Sequence, residues 1–317
     1  MATTAIVHAA DVTAGDFDSG VAFENTGRTM TEADVVGFAG LTGDFNPQHV
    51  NRDWTSRNTM FGERIAHGLL LSSVGVGMIP ERLKRALGPM RTAHAVYKKP
   101  VVFGDTIRIS GRALVGRDDP PSGGQAAPGG GPPLELRIVN QRNETVCKMR
   151  LGFGPRDESP AVPEWHEPPM DAVDMTMGEL LDGHPYRTPG RTITEAHLVG
   201  FSAITGDWYP AYADAEWARV NGPGARVAQE MLIIATAAPM VPLDVSRLIA
   251  ARKADITWHK PTLVGDTMSI EGRFVESLPA GDDMVQEFYE FWTLNQRGEP
   301  LASLNLSLVM QDPASLG

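Results

Sequence analysis

Arg28-Thr29-Met30-Thr31-Glu32-Ala33-Asp34-Val35-Val36-Gly37-Phe38 returns further along the chain as Arg191-Thr192-Ile193-Thr194-Glu195-Ala196-His197-Leu198-Val199-Gly200-Phe201. The match runs on through Thr42-Gly43-Asp44 against Thr205-Gly206-Asp207, and Pro47 against Pro210. Arg64-Ile65-Ala66-His67-Gly68-Leu69 then answers Arg226-Val227-Ala228-Gln229-Glu230-Met231. Lys99-Pro100 and Gly104-Asp105-Thr106 answer Lys260-Pro261 and Gly265-Asp266-Thr267, and Asn140-Gln141-Arg142 answers Asn295-Gln296-Arg297. So many matches in the same order mark a duplicated domain. A chain of 317 residues is comfortable for two domains of about 150 residues each.

Within each copy the local signals agree. Thr31 is a good N-cap, Asp34 holds the capping-box position, and Met30 with Val35 can form a staple. Val35, Phe38, Ala39 and Leu41 fall at helical spacing, and Gly43 ends the helix. Ile65–Met78 predicts a second helix, apolar on most sides and therefore buried. β-rich runs follow at Thr92–Tyr97, Asp105–Val115, Leu134–Asn140 and Val146–Phe153, with hairpin turns over 140–144 and 295–299. A buried helix followed by an antiparallel meander is α+β. A sheet wrapped around a central helix is the hot-dog arrangement, and two copies predict a tandem hot-dog paired within one chain.

The expected boundaries are a first hot-dog over 1–155, a linker over 156–189 and a second hot-dog over 190–317. Seven prolines between Gly154 and Gly190 suggest the linker, with a short helical turn near Met177–Leu181. Gly116–Pro133 is a Gly/Pro-rich insertion absent from the second copy, which predicts a surface loop.

Composition excludes several classes. Hydrophobic content of 42% and charged content of 21% are those of a globular protein. Twenty-eight basic against 39 acidic side chains, a net charge of −11, leave no basic stripe for nucleic acid. The single cysteine, Cys147, rules out a disulfide framework and a Cys-based zinc site. The first twenty residues contain no Lys or Arg, and no apolar run is long enough to span a bilayer. The expectation is a cytoplasmic protein with no membrane partner.

The chemistry gathers in two segments. In Asp44-Phe45-Asn46-Pro47-Gln48-His49 the Asn-Pro step favours a turn, so Asp44 and His49 can converge on one point. A carboxylate and an imidazole facing one pocket can hold a water as an acid–base pair. The residue types also allow a plain helix-end turn and a satisfied core histidine. In Ala66-His67-Gly68-Leu69-Leu70 the start of the buried helix offers unpaired N–H groups. Gly68 leaves room for a ligand carbonyl to reach them, although close helix–sheet packing would demand the same glycine.

Together these segments resemble the MaoC-like family, the (R)-specific enoyl-CoA hydratases and 3-hydroxyacyl thioester dehydratases. The family's Gly-Asp-x-Asn-Pro-x-His stands here as Gly43-Asp44-Phe45-Asn46-Pro47-Gln48-His49, and its His-Gly as His67-Gly68. Lys99-Pro100-Val101-Val102-Phe103-Gly104-Asp105-Thr106 is similar to the family's Arg-Pro-Val-x-x-Gly-Asp-Thr, with lysine replacing arginine. The resemblance implies that Asp44 and His49 are catalytic, adding water to C3 of a 2-enoyl thioester and routing its proton to C2. It places Gly68 at the enolate oxygen, with His67 beside it, and gives Asn46 the task of orienting the loop. Ser73, five residues after the glycine, is a substrate contact in some relatives; here it could equally bond its own helix backbone. The reaction needs no metal or other cofactor. The substrate is carried on coenzyme A or on a carrier-protein phosphopantetheine, and Lys98, Lys99 and Arg91 are candidates for its phosphates. The implied rivals are a hot-dog thioesterase and a non-catalytic acyl-CoA-binding hot-dog.

The second copy is degenerate. Asp207 persists, but Tyr209 stands for Asn46, Tyr212 for His49, and Gln229-Glu230 for His67-Gly68. Its expected work is to complete the intramolecular pair and to wall the acyl pocket, with Trp208, Tyr209 and Met231 as candidate lining; a further homodimer stays open.

Overall fold

In the computed structural model, which describes residues 6–115, 131–155 and 160–313, one run of elements occurs twice. The first half comprises β1 (Ile6–His8), α1 (Ala14–Asp18), β2 (Ala22–Glu24), β3 (Arg28–Thr29), α2 (Glu32–Thr42), α3 (Pro47–Val50) and α4 (Arg52–Asn58). It continues with α5 (Gly68–Gly77), α6 (Glu81–Leu87), β4 (Met90–Tyr97), β5 (Thr106–Ala113), β6 (Leu134–Val139) and β7 (Thr145–Phe153). The second half runs β8 (Met170–Asp171), α7 (Met177–Leu181), β9 (Tyr186–Arg187), β10 (Arg191–Thr192), α8 (Glu195–Thr205), α9 (Pro210–Ala213) and α10 (Ala215–Asn221). Then come α11 (Glu230–Ala237), β11 (Leu248–Trp258), β12 (Thr267–Gly281), β13 (Met284–Leu294) and β14 (Pro300–Gln311). Among the described residues α6 alone lacks a counterpart. A 3-10 turn at Ala238–Met240 and irregular chain take its place.

The sheet order β1-β2-β5-β6-β7-β4-β11-β14-β13-β12-β9-β8 reads alike from either end. The halves therefore join as a pseudo-twofold pair across the antiparallel β4–β11 seam, where Val96 faces Lys253, His94 faces Asp255 and Thr92 faces Thr257. The central helices are covered by the sheet: Leu70 through Val76 of α5 and all of α11 are buried. The protein is an α+β double hot-dog.

Local chemistry explains the elements next to the site. Thr31 caps α2 through a reciprocal box, its hydroxyl accepting from Asp34 N at 3.3 Å while Asp34 accepts from Thr31 N at 2.8 Å. Gly43 closes α2 at φ 86°, left-handed backbone that favours glycine. Arg191 donates to the Thr42 carbonyl, and Arg28 to the Ile204 carbonyl near the end of α8. Each half thus places a guanidinium at the negative end of the other's helix, where the backbone dipole favours a cation.

Two expectations change in detail. The buried helix begins at Gly68, not at Ile65. Ile65 bridges Val102, and Ala66 N donates to Val101 O at 2.8 Å, so the chain stays extended until His67. Within residues 170–187, read from composition as linker with a helical turn near Met177–Leu181, that turn stands as α7, and β8 and β9 flank it and join the sheet edge through β12. They mirror β1, α1 and β2 of the first half, even to a parallel strand pair and a Thr-capped helix. Residues 116–130 of the Gly/Pro-rich insertion lie outside the described residues. No helix among the described residues is long and apolar enough to cross a membrane.

Candidate active site

Asp44 follows the left-handed Gly43 at the end of α2, and its backbone turns at once. Its side chain accepts from Asn46 N at 3.3 Å. Asn46 caps α3 by accepting from Gln48 N at 3.0 Å, and Pro47 fits the first helical position, where no N–H is needed. Asn46 therefore shapes the loop. One turn of α3 then carries His49 back beneath Asp44, where its Nδ1–H donates to the Ile65 carbonyl at 2.8 Å. The extended Ile65-Ala66-His67 segment brings the second imidazole in. His67 Nε2–H donates to the main-chain carbonyl of Asp44 at 3.0 Å. The two ring centroids lie 3.7 Å apart, and the Phe38 ring packs against His67 at 4.9 Å.

Asp44 is half-buried while His49 and His67 are buried. Burial pushes the His49 pKa below the usual 6.5, and the Asp44 charge opposes that shift without cancelling it. Burial pushes His67 further down, and the neighbouring His49 adds to it. Both imidazoles are therefore neutral near pH 7. With Nδ1 donating, His49 keeps its Nε2 lone pair for chemistry. Among the described residues, Asp44, His49 and His67 also form the one His/Cys/Asp/Glu group that could hold a metal ion, with ligand atoms within 4.8 Å of one another.

Gly68 opens α5 directly after His67, and no side chain caps that helix. A Cβ at Gly68 would press to 3.2 Å from the Tyr97 ring. Close packing and an open helix terminus thus both call for glycine here.

These groups border a cavity of about 550 Å³. Lys98 and Lys99 line it, and the Lys99 ammonium is tied to Glu144 at 2.5 Å. Glu144, held by Asn140, Lys99 and Arg142, has its pKa drawn down to about 2. The opposite wall comes from the second half: Val241, Leu243, Leu248, Met284, Leu306 and Leu308 are apolar, and exposed Arg252 sits among them.

Several expected site residues lie elsewhere. Ser73 does not border the cavity; its hydroxyl donates to Leu69 O at 2.5 Å, one turn back along α5. Arg91 is the second residue of β4, six residues or about 20 Å from Tyr97. Trp208 is 51% exposed, Met231 is buried in α11, and Tyr209 packs edge-on to Tyr212 and Trp217. None of these three borders the cavity at Asp44. The pseudo-twofold explains this: α9 faces its own half's pocket, whereas the chain after α11 crosses to the first. The 241–243 wall was invisible in the sequence because that stretch stands where the first copy has α6, and Arg252, the repeat counterpart of Arg91, reaches the first pocket only across the seam.

In the second half, Tyr209 and Asp207 line a separate cavity of about 430 Å³. Lys84 from α6 pairs with Asp207 at 2.6 Å, and Tyr212 donates to Glu230 at 2.6 Å. The position of Gly68 is thus filled by a carboxylate already engaged by a phenol.

The MaoC like domain matches residues 17–116 and 178–286, and the chain belongs to that family. It does so in double form. Over 80 residues it is 38% identical to an (R)-specific enoyl-CoA hydratase of Rhodospirillum rubrum, covering 25% of this chain and 55% of that one. Over 82 residues it is 34% identical to a 3-hydroxybutyryl-CoA dehydratase of Methylorubrum extorquens, covering 26% and 52%. The chain thus spans about half the length of these relatives. Among solved structures, a MaoC domain protein of Chloroflexus aurantiacus superposes with a TM-score of 0.73 at 16% identity, over 96% of this chain and 99% of that one. A Mycobacterium tuberculosis protein described as a double hotdog fold gives 0.67 at 15% identity, over 92% and 97%. These two likenesses bear on the fold.

Proposed function

We propose that this protein reversibly hydrates a 2-enoyl thioester to a 3-hydroxyacyl thioester, at a single site in its first half. The observation that carries the reading is the convergence of the Asp44 carboxylate and the His49 imidazole beside the uncapped start of α5, at the edge of an apolar cavity. The acyl chain lies against the second-half wall, and the thioester carbonyl meets the Gly68 N–H. Water sits between Asp44 and His49 Nε2. Its oxygen bonds to C3 while the pair takes its proton. The C2–C3 π electrons move toward the carbonyl, whose developing charge the helix terminus stabilises. The pair then returns the proton to C2, so one water is added and nothing else is consumed. Dehydration is the same path in reverse. Chemistry of this kind requires no metal or redox cofactor.

On the carrier side, Lys98 and Arg252, one from each half, flank the cavity and are exposed. No ion pair engages either among the described residues, so both can meet the carrier's phosphates. The test is loss of enoyl absorbance with crotonyl-CoA and longer enoyl-CoAs, together with a thiol-release assay. Hydration without free thiol is the expected result. Free thiol without hydration would make the protein a thioesterase.

A further inference from the structure

The mechanism just given uses Asp44 and His49 and leaves the second buried imidazole without a task. We infer that His67 is a positioning residue, locked as its Nε2–H tautomer, that pins the main-chain carbonyl of Asp44 and thereby sets the carboxylate against His49. The inference rests on the proposed reaction and adds a residue to it.

Three observations carry it. First, among the described residues the only hydrogen-bond partner of the His67 side chain is a carbonyl oxygen, at 3.0 Å from Nε2. A carbonyl accepts and cannot donate, so the proton must be on Nε2. The remaining Nδ1 is buried with no partner, and solvent does not reach it. The one acceptor nitrogen of His67 thus faces away from the cavity opening, which leaves the water's proton to Asp44 and His49. Second, His49 is held the other way round, Nδ1–H to the Ile65 carbonyl. The two neighbouring rings therefore carry opposite tautomers, each fixed by main chain. A proton cannot shift on one ring without breaking a buried hydrogen bond, which keeps the His49 lone pair on Nε2.

Third, the chain contains its own control. In the second half the equivalent aspartate carbonyl is also pinned, but by a relay. Gln229 Nε2 donates to Ser202 Oγ at 2.8 Å, and Ser202 donates to the Asp207 carbonyl at 2.7 Å. Position 202 corresponds to Ala39, which has no hydroxyl, so in the first half His67 must reach the carbonyl alone. Both halves pin the turn after the left-handed glycine, whether or not they keep a reacting pair. The first half does so with a rigid ring packed against both Phe38 and His49.

Two measurements test this. Nitrogen-15 NMR of histidine-labelled protein at pH 7 should show His67 as a neutral Nε2–H ring and His49 as a neutral Nδ1–H ring. A proton on His67 Nδ1 would overturn the inference, and this readout stands even if the proposed reaction fails. The second measurement is kinetic, with crotonyl-CoA as the probe. His67→Leu and His67→Asn should each lower kcat by about 10², the usual cost of misplacing a reacting group by about 1 Å, while KM changes little. The Asn amide overlays Nδ1 and falls short of the carbonyl. His67→Gln places its amide near Nε2, and adding Ala39→Ser copies the second-half relay, so that double variant should recover most of kcat. Equal losses in all variants, or full activity in His67→Leu with the fold retained, would overturn the role. A wild-type enzyme inert toward every enoyl thioester would instead remove the proposed reaction.

Discussion

Asp44 and Asp207 occupy equivalent places after equivalent left-handed glycines, yet they face opposite fates. Asp44 is half-buried at a cavity, with an imidazole beneath it and no salt bridge among the described residues. Asp207 is buried against Lys84. Burial pushes its carboxyl pKa up, and the Lys84 ammonium opposes that shift. Beside the exchanges of His49 for Tyr212 and of His67-Gly68 for Gln229-Glu230, one element sets the two sites apart. The first half has α6 and projects Lys84 from it into the partner pocket; the second half has only a turn and loop there, whose apolar side chains leave the first pocket open. The duplication leaves two cavities, and α6, present on a single side, sends Lys84 into the second of them.

The largest expected difference between the two sites is catalytic. Asp44→Asn and His49→Gln should each cut hydration by about 10²–10⁴, the usual worth of an acid–base group. Together they should cost little more than either alone, because each needs the other. Asp207→Asn should leave turnover unchanged. The pH profile sharpens the contrast. His49 must be neutral to act, and burial lowers its pKa, so the acid limb should fall below pH 6.5. The same shift bears on stability. Below pH 6.5 the unfolded chain takes up protons at residues 49 and 67 that the native state refuses, so stability should fall as pH drops from 6.5 through the lowered native values. His49→Gln should flatten that slope, as followed by Tm across pH. Turnover in the wild type that halves at or above pH 6.5 would contradict the assignment of His49 as base.

Next in size is the Lys84–Asp207 pair. Lys84→Met leaves a buried carboxylate without its cation, a change that typically costs about 3–5 kcal/mol. Lys84→Met with Asp207→Asn should restore most of the loss. Because the native pKa of Asp207 lies above its unfolded value near 3.8, its protonated form favours the fold, and stability is lost as pH rises through the native value. Removing Lys84 should steepen that loss, read as a larger decline in Tm from pH 4 to pH 7. An unchanged Tm in Lys84→Met would make the pair a spectator.

What the sequence disclosed follows the range of the interactions involved. Thr31, Gly43, the Asn46-Pro47 turn and the 140–144 and 295–299 hairpins act over a few residues, so their chemistry is readable and the elements stand where it puts them. The start of α5 moved by three residues because a contact with Val101 and Val102, far along the chain, holds Ile65 and Ala66 extended. Trp208, Tyr209 and Met231 stand away from the cavity at Asp44 for a related reason. Repeat alignment matches them to the reacting segment, and a pseudo-twofold sends aligned positions to opposite pockets. Residues 241–243 and Arg252 reach the first site across the seam, and no local pattern marks them.

The wall offers a test of intermediate size. Leu243→Trp should narrow the cavity and penalise long enoyl chains, whereas Val241→Ala should admit them. Each methylene accommodated or refused is worth roughly 1–3 kcal/mol in kcat/KM. Trp208→Ala and Tyr209→Ala, facing away, should give the parent's profile. The measurement is kcat/KM across enoyl-CoA lengths with folding checked by circular dichroism. A changed profile in Tyr209→Ala with none in Leu243→Trp would place the acyl chain in the second-half cavity instead.

The smallest effect concerns the thioester carrier. The β4–β11 ladder ends at the Val96–Lys253 pair, so Lys98 and Arg252 both lie just beside that end of the seam. Both cations border the same cavity. Lys99, by contrast, already has Glu144. Exposed charge contacts are weak, roughly 0.2–1 kcal/mol each, so Arg252→Ala and Lys98→Ala should raise KM for an enoyl-CoA by at most about fivefold. Lys99→Ala should do less. Salt should erase the difference, because exposed charges are screened within about 10 Å at 0.1 M ionic strength. The decisive comparison uses the same enoyl group on pantetheine, which has no phosphate. There Arg252→Ala and Lys98→Ala should behave as wild type. Equal losses on pantetheine and CoA substrates would show that the two side chains shape the pocket and do not read the carrier. A loss on CoA alone would tie a residue of the degenerate half to substrate recognition at the working one.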